Sequence, residues 1–211
     1  MTKKQNTKLY KLFLIILLTS LFVISITSCN PLDEDEDVIR YDKLLKKTSN
    51  SYYGNLGGIA GADAKCQADF GSNYKALIVD GTNRVATTTG ADATGQIDWV
   101  LKPNTIYAKR VSVLFNTTIS VIATTNNWAT FDFPLNDRFP QSNLFANNSL
   151  YYWTGLNNDW TTNGNTCLSW TSSSSSQYGN VGKEKSDETA ISSTNYKCND
   201  YNAIWNIAGH G

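Results

Sequence analysis

The sequence predicts an α+β domain dominated by sheet, on three observations. Short β-branched and aromatic runs recur along residues 74–209, they are separated by long loops rich in Asn, Ser, Thr and Gly, and one segment alone carries clear helical periodicity. That segment is "GGIAGADAKCQADFG" (57–71), where Ile59, Ala62, Cys66 and Phe70 recur at helical spacing. Asp63 is placed in its first turn, where a negative charge suits the helix dipole.

The strands follow in order. "YKALIVDG" alternates and ends in Asp80-Gly81, the pattern of a buried strand and turn. Pro103 forbids one continuous helix through "DWVLKPNTIYAK". "VSVLFNTTISVIATTNNWATFDFPL" offers three β-like runs, with "TTNN" as the hairpin loop between two of them. "LYYWTGL" and "NAIWNIAG" are the remaining strand candidates. Alternation along the first puts Tyr151 and Trp153 on one face and Tyr152 on the other, which assigns these rings, with Trp160 and Trp170, to core packing.

The ends of the chain speak to location. Lys3, Lys4, Lys8 and Lys11 form a positive leader, followed by a 15-residue apolar run, Leu12–Ile26. A spanning helix needs about 20 residues, so residues 1–28 read as a secretory signal. The run closes in "ITSC", and Ile26 to Cys29 resemble the bacterial lipobox, which makes Cys29 the lipidated residue and the membrane a partner through its acyl chains. Residues 29–51, with acidic positions clustered over 33–37, hold too little apolar content to pack and read as a tether. A solvated helix around "VIRYDKLLKK" is the alternative. The domain then occupies residues 52–211, 160 residues that can bury a core of their own.

Composition excludes whole classes of function. Taking the four leader lysines from the 18 basic residues leaves 14 against 18 acidic ones, a net charge of −4. Nucleic acid needs clustered cations and is not an expected partner. The single histidine, His210, is one residue from the end, so a zinc site or histidine base has no inventory to draw on. Asp132, Asp137 and Asp159 are the carboxylates that an acid–base pair would need to bring together, but nothing in their spacing supports one. The expectation is no enzyme, no metal and no cofactor. The sequons at Asn116 and Asn147 carry little weight in an exported bacterial protein.

Three cysteines remain: Cys66, Cys167 and Cys198. No C-x-x-C occurs, and an exported chain favours disulfides. Cys167 and Cys198 flank the Ser-rich loop, and joining them closes a 32-residue ring worth roughly 3–4 kcal/mol by chain entropy. Cys66 is then a buried apolar residue with a free thiol.

"GNLGGIAGADAKCQADF", "YKALIVDGTNRVA", "DWVLKPNTIY", "FDFPL", "YYWTGLNNDW" and "CLSWTS" together resemble the endostatin-like outer-membrane lipoproteins of leptospires, and more distantly the endostatin domain of collagens fifteen and eighteen. The blocks occur in order across residues 52–205. The resemblance implies a variant of the C-type-lectin-like fold, a mixed, mostly antiparallel sheet with one or two helices, and looks to "WTGL" at Trp153–Leu156 as its central-strand signature. It implies nested disulfides, the inner pair being Cys167 and Cys198 and the outer one joining Cys66 to a position near Asn206, where this chain has no cysteine.

Such lipoproteins bind host extracellular-matrix and plasma proteins, including laminin, fibronectin, plasminogen and complement factor H. The resemblance therefore implies a monomeric, surface-exposed adhesive module in the outer membrane, with Lys183, Lys185 and Lys197 available to a lysine-seeking partner. Two alternatives stand beside it. One is calcium-dependent sugar binding, for which "LNNDW" and "KCNDY" supply oxygens but the Glu-Pro-Asn and Trp-Asn-Asp motifs are missing. The other is a structural lipoprotein facing the periplasm.

Overall fold

"KLLKK" packs as a strand, so the tether expected over residues 29–51 does not extend to residue 51. The computed structural model describes residues 39–90, 92–113, 116–140 and 151–209, all within one compact unit that begins at Ile39. The leader, Cys29, the acidic cluster, Asn147 and His210 lie outside the described residues. Strand β1 (Lys43–Lys47) carries only two apolar residues, Leu44 and Leu45. Their side chains point to opposite faces of the sheet, and both are buried. Composition over twenty residues misses this, because a five-residue strand covered on both faces needs no more than one leucine per face. The helical alternative for this stretch is likewise replaced.

The rest of the chain builds around β1 and the closing strand. Helix α1 (Gly58–Phe70) buries Ile59, Ala62 and Cys66. Strands β2 (Tyr74–Ala76), β3 (Ile106–Val113), β4 (Asn116–Thr124), β5 (Tyr151–Trp153), β6 (Tyr178–Lys183), β7 (Thr194–Lys197) and β8 (Ala203–Gly209) complete the described elements of the sheet. Their order is β4-β3-β1-β8-β5-β6-β7, with β2 also paired to β8. Antiparallel pairings predominate, and β1–β3 and β5–β8 are parallel. Asn206 faces Lys46 of β1 in one ladder and Ala76 of β2 in the other, so β8 is the strand on which both halves of the sheet meet.

Strand β5 divides the interior. Tyr152 lies in one apolar cluster with Leu45, Phe131 and Trp160, and Trp153 in a second with Cys66, Trp170 and Ile204. Opposite faces of one strand thus feed separate cores, as its alternation requires. All of Trp153, Thr154 and Leu156 are buried, and Thr154 Oγ1 donates to the Ile191 carbonyl at 2.7 Å. "WTGL" is therefore a packing element.

Two expectations about local structure change. β3 pairs antiparallel with β4, Val113 opposite Asn116, and "TTNN" instead begins at the last residue of β4 and runs into the loop after it. Asn126 there accepts from Trp128 N (3.0 Å), Thr130 N (3.2 Å) and Thr130 Oγ1 (3.1 Å), an Asx turn that diverts the third β-like run into a loop. Asp63 is not in the first turn of α1. Its carboxylate instead receives Arg84 Nη1 and Nη2 at 2.9 and 2.8 Å, and the Ala76 amide at 2.8 Å. Arg84 is fully buried, and also donates to Asp98 and to the Ala76 carbonyl. Burial alone would weaken its protonation, but the two carboxylates outweigh that and raise its pKa.

Candidate functional site

Three loops, the first and third read as loops from sequence and the second as a hairpin loop running into a strand, converge on one open cleft of about 330 Å3. Residues 87–92 supply Thr87, Gly90 and Asp92; residues 126–133 supply Asn126, Trp128, Thr130, Phe131, Asp132 and Phe133; residues 158–160 supply Asn158, Asp159 and Trp160. Thr87 bridges in parallel to Thr161, which ties the first loop to the third. Gly90 is needed here: at φ 77° it adopts a left-handed conformation, and a Cβ would fall 2.8 Å from Asp159 Oδ2.

The aromatic wall is held from behind. Trp160 is 5% exposed, its indole donates to the Phe131 carbonyl at 3.2 Å, and Phe133 stacks against it at 6.0 Å with ring planes 12° apart. Trp99 meets Trp160 edge-on and donates to the Ala129 carbonyl at 2.8 Å. Trp128 is different. The residue is 45% exposed while Gln96 Nε2 fixes its carbonyl at 2.8 Å. An exposed tryptophan on an anchored backbone offers a large contact area at little entropic cost.

The acidic residues separate into two groups. Asp132 and Asp159, two of the carboxylates singled out from sequence, both line the cleft, and Asp92 joins them. Asp137 does not: it pairs with Lys109 at 2.9 Å and accepts from Ser120 at 2.6 Å. Hydrogen bonds from Thr94 and Thr89 hold the exposed Asp92 carboxyl below the usual carboxylate range. Among the described residues, no group of three or more His, Cys, Asp or Glu side chains is placed to hold a metal ion. Lys185 and Lys197 are exposed, and Lys183 lies over the Tyr151 ring.

The cysteines sit at the opposite core. Cys167 and Cys198 form a disulfide with Cα atoms 5.6 Å apart. Gly54 closes over it, since a Cβ there would come within 2.3 Å of Cys167 Sγ. Cys167–Trp170 makes one left-handed turn, with φ between 50° and 63° at all four residues. Cys66 is a free, buried cysteine on α1, and burial pushes its thiol well above the ordinary range, so it is chemically inert at neutral pH. It shares its apolar cluster with Ala76, which pairs with Asn206 of the closing strand.

A family model described as "Protein of unknown function (DUF1554)" matches residues 49–198, 150 of the 211 residues. The chain belongs to the DUF1554 family. The matched span of this DUF1554 domain contains every residue of the cleft and both half-cystines, while β1 and β8 lie outside it. No curated protein matches the chain.

From the sequence, Asp132, Asp159 and Trp160 of the cleft were legible, as was Asn158 within "LNNDW", whereas Asp92, Asn126, Trp128 and Phe133 were missed. One signal was present. In "NNWATFDF" the aromatic residues are interleaved with polar ones behind an Asx turn, a pattern that a solvated hairpin loop does not need.

Proposed function

We propose that this chain is a lipid-anchored, non-enzymatic binding module displayed on the outer membrane, with Cys29 as the lipid attachment point and host extracellular-matrix or plasma proteins as partners. The observation that carries this reading is the cleft: about 330 Å3, built from three anchored loops and bearing a tryptophan that is 45% exposed. Loops held by a rigid scaffold are the usual place for recognition. The buried thiol of Cys66 and the pairing of Asp137 with Lys109 leave the most reactive groups named from sequence without a catalytic setting.

A C-type-lectin-like, endostatin-like architecture is part of the same proposal. It is supported by the position of Trp153, the first residue of "WTGL", at the end of β5, between β6 and β8, by the bond between Cys167 and Cys198, and by α1 sharing its apolar cluster with Ile204 of the closing strand. The family named by the sequence resemblance is also one of anchored adhesive proteins.

The test is a binding panel. Full-length protein in detergent is titrated over immobilised laminin, fibronectin, plasminogen and factor H, with and without a calcium chelator. At least one saturable isotherm at micromolar or lower concentration, unaffected by chelation, is expected. Binding abolished by chelation and restored by a simple sugar ligand moves the assignment to a calcium-dependent lectin, a reading to which Asn158 and Asp159 in the cleft lend their oxygens. Absence of saturable binding to all four proteins overturns the proposal.

A further inference from the structure

The cleft has a charge that the protein leaves unanswered. Its lining contains three aspartates and no Lys, Arg or His. Elsewhere Asp63 and Asp98 are paired with Arg84 and Asp137 with Lys109, while Asp80 is held by hydrogen bonds to both of its carboxylate oxygens. Among the described residues, no basic side chain pairs with Asp92, Asp132 or Asp159.

Each of the three uses one carboxylate oxygen and leaves the other. Asp92 Oδ1 accepts from Thr89 Oγ1 at 2.7 Å and Thr94 N at 2.8 Å. Asp132 Oδ1 accepts from Asn126 Nδ2 at 2.9 Å. Asp159 Oδ1 accepts from Thr161 Oγ1 at 2.6 Å and Thr161 N at 3.0 Å. The Oδ2 atoms take no hydrogen bond from the described residues.

The aromatic wall decides the kind of ligand this field suits. Phe133 and Trp160 are stacked nearly parallel, and Trp128 is half-exposed on the same lining. Ring faces are attractive to organic cations and contribute most where water is excluded. An anion is repelled by three carboxylates. A neutral sugar gains nothing from them and must displace their water. A chelated metal ion would need the carboxylates gathered at one point, which they are not. A guanidinium, with donors spread over a flat group, reaches separated acceptors and rests against a ring at once, and an alkylammonium meets a carboxylate with its compact charge while its stem lies on the rings.

We infer that the cleft receives a lysine or arginine side chain presented by the partner polypeptide, clamped between the carboxylates of Asp92, Asp132 and Asp159 and the aromatic wall. This rests on the binding-module reading above and names the chemistry that its partner must offer.

The test uses the full chain carrying 5-fluorotryptophan, titrated with N-acetyl-arginine amide and N-acetyl-lysine amide, and with neutral N-acetyl-citrulline amide as the isosteric control. The Trp128 resonance, identified by its disappearance in Trp128→Phe, is expected to shift saturably with the two cations and to stay in place with citrulline. Asp132→Asn combined with Asp159→Asn keeps each Oδ1 acceptor but removes the charge, so the fold survives while the response weakens about tenfold. An equal shift with citrulline, or an undiminished response in the double variant, overturns the inference.

Its failure and that of the binding reading are separable. Host-protein binding that is unchanged in the double variant, with no response to arginine amide, removes the inference alone. A clean cation response from a chain that binds none of the four host proteins supports the inference and removes the functional reading.

Discussion

Replacing Arg84 with methionine is expected to destabilise the domain by about 3–5 kcal/mol, because it strands carboxylates inside the protein. The guanidinium is fully buried and serves two acids and two backbone carbonyls, those of Ala76 and Asp98, at once. Asp98 is 41% exposed at its side chain and can recover water, but Asp63 is only 14% exposed and cannot. For a domain of this size the loss corresponds to a melting temperature lower by roughly 10 °C. Adding Asp63→Asn should restore part of it, since an asparagine oxygen still accepts from the Ala76 amide while no charge is left unpaired. Calorimetry on the two variants checks this, and equal instability in both would contradict it.

Acid sensitivity follows from the same network. Burial on its own would raise the Asp98 carboxyl, but Lys75 and Arg84 outweigh it and hold the group below its ordinary value of 3.8. Asp80 is lowered in the same way, its burial outweighed by hydrogen bonds from the Arg84 amide, the Asn83 side chain and the Thr82 and Asn83 amides. A carboxyl depressed in the folded state stabilises above its unfolded pKa and loses that contribution as protons bind below it. Stability should therefore fall as pH drops below about 4, with a shallower acid limb in Arg84→Met.

The double replacement Cys167→Ala with Cys198→Ala is the second large effect. The bond spans a sequence separation of 31, and opening that ring returns roughly 3–4 kcal/mol of entropy to the unfolded chain. A local consequence adds to it. Cys167, Leu168, Ser169 and Trp170 all hold positive φ, a conformation that disfavours each L-residue by about 1–2 kcal/mol. The crosslink holds one end of the turn, and the Trp170 indole on the Val79 carbonyl at 2.8 Å and the Leu56 amide on the Trp170 carbonyl at 2.9 Å hold the other. Without the bond, the turn should relax and the Trp153–Trp170 contact, with centroids 5.7 Å apart, should loosen. Melting temperature and near-ultraviolet circular dichroism are expected to fall together. A variant that melts within about 2 °C of the parent would show that the turn is held by packing alone.

Legibility in the sequence followed the range of the physical signal. Helix α1 and strands β5 and β8 were readable because their periodicity lies within one segment, and Tyr152 and Trp153 take opposite faces as local alternation demands. Cys167 and Cys198 were readable because a redox compartment and an intervening loop suffice to pair them. Strand β1 was hidden: its two leucines are flanked by lysines, and only the neighbouring β3 and β8 make a strand of them. Asp63 looked like a helix-dipole residue because its partner, Arg84, is 21 residues away. The cleft was the least legible part. Each of its three loops satisfies its own turn chemistry, and long-range packing, of Trp99 and Phe131 around Trp160 and of Thr87 against Thr161, puts Asp92, Asp132 and Asp159 on the lining of one cleft.

The claim that this cleft is where the protein meets its partner is most directly tested by one affinity measurement. Trp128→Ala removes an exposed ring, leaves the Asn126 turn and the Gln96 contact to the backbone in place, and should not change the melting temperature. Central tryptophans of binding surfaces commonly contribute 2 kcal/mol or more, so the dissociation constant for the tightest host protein of the panel should rise by about thirtyfold or more. An affinity equal to that of the parent protein, at equal stability, would place the contact surface elsewhere and contradict the account.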